Sequence, residues 1–100
     1  MEYKIIISTA AENDTNESYI YYEQQQLGLG ERFLEELTEF YNKLQLHPSH
    51  YSFVSGQSSI RALPLKIFPF KIIFQIESKE IYVFAIHHFR KHPDQFLNRF

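Results

Sequence analysis

The sequence predicts an α+β domain, ordered β-α-α-β-β-β, in which a helical hairpin packs on one face of an antiparallel-rich sheet. Three observations lead there. A short β-branched run opens the chain, two helical stretches meet at GLG, and two alternating apolar stretches near the end flank a polar turn. The 100 residues, 44% hydrophobic and 17% aromatic, supply one core without metals or disulfides, so residues 1–100 read as a single domain.

Tyr3 to Ser8 is the opening strand, and it stops where Thr9 and Glu12 form a capping box, each side chain placed to satisfy an orphan amide. From Ala10 to about Leu27 neither glycine nor proline interrupts a helix whose stripe of Ala11, Ser18, Tyr22 and Gln25 is weak, so it is expected to be half exposed. Gly28 to Gly30 stop and restart the helix, because glycine takes the left-handed conformation without steric cost. Leu29, Phe33, Leu37, Phe40 and Leu44 then recur at spacings of 4, 4, 3 and 4, with Glu31, Glu35, Glu36 and Glu39 mainly between them. This is an amphipathic helix, antiparallel to the first and ended by Pro48. Pro48 to Ser59 is a loop. Ile60 to Leu63 is a short strand, and Lys66 to Ile76 a longer one with Phe68, Phe70, Ile72, Phe74 and Ile76 on its core face. After the turn Glu77 to Lys79, Glu80 to His87 is apolar on both faces, as a central strand should be.

Composition excludes several functions. The chain has no cysteine, so disulfides and zinc–thiolate sites are ruled out and a cytoplasmic protein is expected. MEYKIIIST has an apolar run too short for a signal peptide or a membrane span, and no membrane association is expected. Residues 1–50 carry nine acids and three bases, residues 51–100 three acids and seven bases, for a net charge of -2. That balance argues against strong nonspecific nucleic-acid binding but leaves room for a local basic groove in the second half.

The basic residues concentrate in AIHHFRKHP, residues 85–93. Side chains alternate across an extended strand, so His87 and His88 point to opposite faces and cannot grip one metal together. No acid lies between Glu80 and Asp94 to complete a ligand set, so neither a metal nor a cofactor is expected. His87 is expected to be buried and hydrogen-bonded to a carbonyl.

YYEQQQLGLGERFLEEL (residues 21–37), IRALPLKIFPFKIIFQI (60–76) and HFRKHPDQF (88–96) resemble, in this order, successive segments of the RelE/ParE toxin superfamily of type II toxin-antitoxin systems. The resemblance implies the same α+β fold and a toxin neutralised by a cognate antitoxin, which lays an extended or helical segment along the toxin surface. Toxins like RelE cut mRNA on the ribosome, where a 2′-hydroxyl attacks the adjacent phosphate with help from a base, a cation and an acid. On that reading Arg61 is the candidate cation, and His88 with Arg90 or Lys91 the candidate acid or base. The lysine-rich segment of such nucleases is missing, however, for YSFVSGQSS has no basic residue, and the C-terminal tyrosine of some members is replaced by Phe96 and Phe100.

IRALPLKIFPFKIIF followed by a His-to-Pro motif resembles the ParE-like branch more closely, whose members inhibit DNA gyrase and need no catalytic residues. The expected function is therefore a ParE-like toxin acting on gyrase by protein binding. A RelE-like ribosome-dependent mRNA endonuclease is the alternative, and a non-toxic orphan domain a third; a homodimer is left open. Lys91 stands where the family often has arginine and lacks its planar fork. Arg61, His88, Arg90 and Lys91 are expected to form one exposed cationic patch that contacts the target, with Pro93 redirecting the backbone away from helix.

Overall fold

In the computed structural model, which describes residues 3–99, the chain runs β1 (Lys4–Ile7), α1 (Thr9–Gln25), α2 (Leu29–Leu46), a 3-10 turn at Pro48–His50, β2 (Ile60–Pro64), β3 (Phe70–Glu77), β4 (Glu80–His88) and α3 (Asp94–Leu97). Phe100 lies outside the described residues. The strands form one sheet in the order β1-β4-β3-β2. β4 runs parallel to β1 and antiparallel to β3, which runs antiparallel to β2. The strand that is apolar on both faces is thus an inner one, as expected.

The stripe of α2 drives the packing. Phe33, Leu37, Phe40 and Leu44 are buried against Leu63, Phe70, Ile72, Phe74, Ile81 and Val83 of the sheet. Phe33 meets Phe68 and Phe70 with ring centroids 5.4 and 5.2 Å apart, and Tyr22 of α1 closes on Phe68 at 4.9 Å. The opposite sheet face is small, comprising Ile60, Ile73 and Ala85 beneath Phe96 of α3.

Gly28 joins the helices at φ 89°, the left-handed conformation anticipated from GLG. Four local expectations are corrected. The cap of α1 is Ser8, whose Oγ accepts the Ala11 amide at 3.0 Å, so Thr9 is already helical and pairs with Glu12 in no capping box.

β3 begins at Phe70 and not at Lys66. The Glu36 carboxylate accepts the consecutive amides of Lys66, Ile67 and Phe68 at 3.0, 2.7 and 2.9 Å, and amides converging on one carboxylate require a curled backbone. Glu36 is itself buried rather than solvated, since it lies three residues after Phe33 and four before Phe40, within the apolar stripe. Pro93 starts a helix instead of diverting the chain from one: its carbonyl accepts the Leu97 amide, and its missing N–H is harmless at a helix start.

Candidate functional site

The site grows from an irregularity in β4. Ile73 of β3 pairs with Ala85 but Phe74 pairs with Val83, so Phe84 is an extra residue, a β-bulge. A bulge inverts the alternation beyond it. Ile81 and Val83 face the helices, then Ile86 does, while Ala85 joins the opposite cluster. His88 consequently lies on the helix side, its ring edge-on to Phe70 at 5.0 Å, and His87 on the other, edge-on to Phe96 at 4.7 Å.

β1 pairs with β4 only as far as Ile7 and Val83, and α1 serves the rest of that edge. Ser8 and Arg99 donate to the carbonyl of Phe84, at 3.4 and 2.8 Å, and Asp14 accepts the Ile86 amide at 3.0 Å. Arg99 also grips Asp14 with both terminal nitrogens, at 2.7 and 3.0 Å. Asp14 and Arg99 are 85 residues apart and carry no motif, so the sequence offers no signal for this pair.

Both histidines reach the same turn. The Lys91 amide donates to the His88 carbonyl at 3.0 Å, closing a β-turn over residues 88–91. The Nδ1 atom of His88 accepts the Arg90 amide at 3.0 Å, and Nε2 of His87 donates to the Lys91 carbonyl at 2.9 Å. His87 is buried and bonded to a carbonyl, as the sequence suggested. Burial lowers the pKa of both imidazoles. Lys71 and Lys91 reinforce the effect on His87, whose bond to Lys91 opposes it, and Arg90 and Lys91 reinforce it on His88. Both shifts favour the neutral imidazole.

Arg90 and Lys91 project into solvent. On the helix side, His88 and Lys91 border a cavity of about 300 Å³ with Asp14, Glu17, Tyr21 and Tyr22 of α1. Arg61 does not join them. Arg61 pairs with Phe74 and His88 with Phe70, which puts them two strands across and four residues along, with Cα atoms roughly 16 Å apart. Its guanidinium donates to the carbonyls of Tyr51 and Ser49, at 2.6 and 3.3 Å, and stacks on Phe53 at 4.0 Å. The four candidates thus divide into a cluster of three and a separate arginine that fastens the loop after α2.

The model of the ParE toxin of the type II toxin-antitoxin system parDE matches residues 5–93. The chain belongs to the ParE toxin family. That match carries the ParE assignment from β1 through Pro93 and stops before α3. Among solved structures, the fold is similar to the chromosomal ParDE toxin-antitoxin system from P. aeruginosa, with a TM-score of 0.77 at 20% identity over 87% of this chain and 96% of that one. It is also similar to the toxin-antitoxin complex RelBE2 from Mycobacterium tuberculosis, with a TM-score of 0.65 at 14% identity over 88% and 99% of the two chains. No curated protein sequence matches. ParE members and RelE-type toxins thus share the scaffold, and among the described residues of this chain no helix is long and apolar enough to cross a membrane.

Proposed function

We propose that this ParE-family chain inhibits DNA gyrase by protein–protein contact, using the exposed cations of the 88–91 turn, and that a cognate antitoxin neutralises it. The observation that carries this choice over RNA cleavage is the commitment of the would-be catalytic groups. Phosphodiester cleavage by an internal 2′-hydroxyl needs a cation and an acid–base pair converging within hydrogen-bond reach of one phosphate. Arg61 gives Nη1 to two main-chain carbonyls and lies two strands away from His88, and His88 spends Nδ1 on the Arg90 amide. What remains at the turn, Arg90 and Lys91 beside exposed Phe89, favours a surface for contact over a reaction centre. An antitoxin partner is supported by the family and by the complexes in which similar folds occur.

The test is a pair of assays on the purified chain. Gyrase supercoiling should be inhibited in proportion to toxin added and restored by the protein encoded beside it, while coupled translation of a reporter mRNA continues. Intact supercoiling with codon-specific mRNA cuts would move the assignment to a ribosome-dependent nuclease.

A further inference from the structure

We propose that the paired histidines make the 88–91 turn acid-sensitive: His87 anchors it from one sheet face, and protonation of His88 on the other releases it, changing how Arg90 and Lys91 are presented. The inference concerns the turn itself and stands whether or not its cations touch gyrase.

The argument starts from atoms. An imidazole nitrogen accepts an N–H only while it is unprotonated. The 3.0 Å contact from the Arg90 amide to Nδ1 therefore fixes His88 as the neutral Nε2–H tautomer. Adding a proton puts N–H against N–H, and the bond is lost rather than weakened. The new charge also appears beside Arg90 and Lys91, which already disfavour it.

His87 behaves differently, because it bonds through a donor. Nε2–H to the Lys91 carbonyl survives protonation, since both nitrogens of the cation are donors. The two adjacent residues, set on opposite faces by strand alternation, thus supply one pH-sensitive and one pH-tolerant brace.

The surroundings of each ring are consistent with this division. Toward His88, α1 presents Asp14, Glu17, Tyr21 and Tyr22, β3 presents Phe70, and its own segment presents Arg90 and Lys91. Asp14 is already held by Arg99, so a charge on the ring is opposed first by burial and then by the cations on the turn. Toward His87, β3 presents Lys71, α1 presents Asp14 and Glu17, and the C-terminal segment presents Lys91, Phe96 and Arg99. No carboxylate is paired with either imidazole among the described residues.

The experiment is a proton and nitrogen NMR titration of the full chain from pH 8 to pH 5, following the Arg90 amide and both imidazoles. The Arg90 amide should lose its hydrogen-bonded shift with the same midpoint as the His88 ring. In His88→Asn the side-chain oxygen replaces Nδ1 as a non-titrating acceptor, so the Arg90 amide should stay in place throughout while His87 still titrates. An Arg90 amide that ignores the His88 titration, or one that moves equally in His88→Asn, overturns the proposal; dispersed spectra at both pH extremes establish that the fold persists.

Discussion

Glu36 shows how one side chain decides a segment. Its carboxylate serves three amides, of which that of Phe68 is buried and cannot turn to water. Glu36→Ala should lower stability by about 2 kcal/mol, because a stranded buried donor bears its full desolvation penalty. Glu36→Gln should lose less, since it keeps one acceptor oxygen. Urea denaturation would check the order, and equal losses would show that packing rather than the carboxylate matters. His87 gives a residue-scale pH dependence. Burial holds its folded pKa below the ordinary imidazole value of 6.5, so the unfolded chain binds the proton more readily. The ring's bond to the Lys91 carbonyl persists on protonation, but the advantage of burying a neutral ring, complete above that value, is lost as pH falls through the folded pKa. Melting temperature should therefore drop between pH 7 and 5.5, with a shallower drop in His87→Gln.

Helices α1 and α2 meet through two glycines that do different things. Gly28 supplies a positive φ with open space around it, whereas a Cβ on Gly30 would stand 2.8 Å from the Tyr19 carbonyl oxygen and 2.7 Å from Cγ of Glu23. Glu23 further accepts the Gly28 and Gly30 amides at 3.2 and 2.8 Å, drawing the restart of α2 onto α1. Gly28→Ala should destabilise by about 1 kcal/mol through backbone strain alone. Gly30→Ala should do so by about 2 kcal/mol or more, because backbone cannot yield as a side-chain end can. Chemical denaturation of both variants tests this, and the reverse order would mean that the helices separate easily. Within β4, the bulge at Phe84 has the larger reach. By shifting the alternation it chooses which histidine faces the helices, a choice that the string IYVFAIHH leaves open.

Across the whole molecule, the acidic half is mostly helical hairpin and the basic half mostly sheet and C-terminal turn, so charge is segregated by layer. The split of the candidate residues leads to contrasting variants. Arg61→Ala should lose about 1 to 2 kcal/mol, since it abandons two carbonyls and the Phe53 ring. Arg90→Ala should change stability by no more than about 0.5 kcal/mol, as exposed charges generally do. If the turn contacts the target, Arg90→Ala and Lys91→Ala should relieve growth inhibition at unchanged melting temperature. Full toxicity in both variants would place the contact elsewhere on the surface.

The sequence by itself determined the element order from β1 to β4 though not α3, the GLG junction, the apolar stripe of α2, the inner position of β4 and the family resemblance. Each rests on local periodicity or on a residue with few backbone options, and such signals need no knowledge of distant partners. The burial of Glu36 was not read there: grouped with Glu31, Glu35 and Glu39 it passed for a solvated acid, and only the three amides that meet its carboxylate explain why it is inside. Only the tertiary structure decided the late start of β3, the bulge at Phe84, the union of Asp14 with Arg99 and the separation of Arg61 from His88. These depend on which distant groups meet, and a strand's facing beyond a bulge is set by the pairing of its neighbours. The histidine pair shows both causes at once: alternation put the two rings on opposite faces, and the fold determined which face each received.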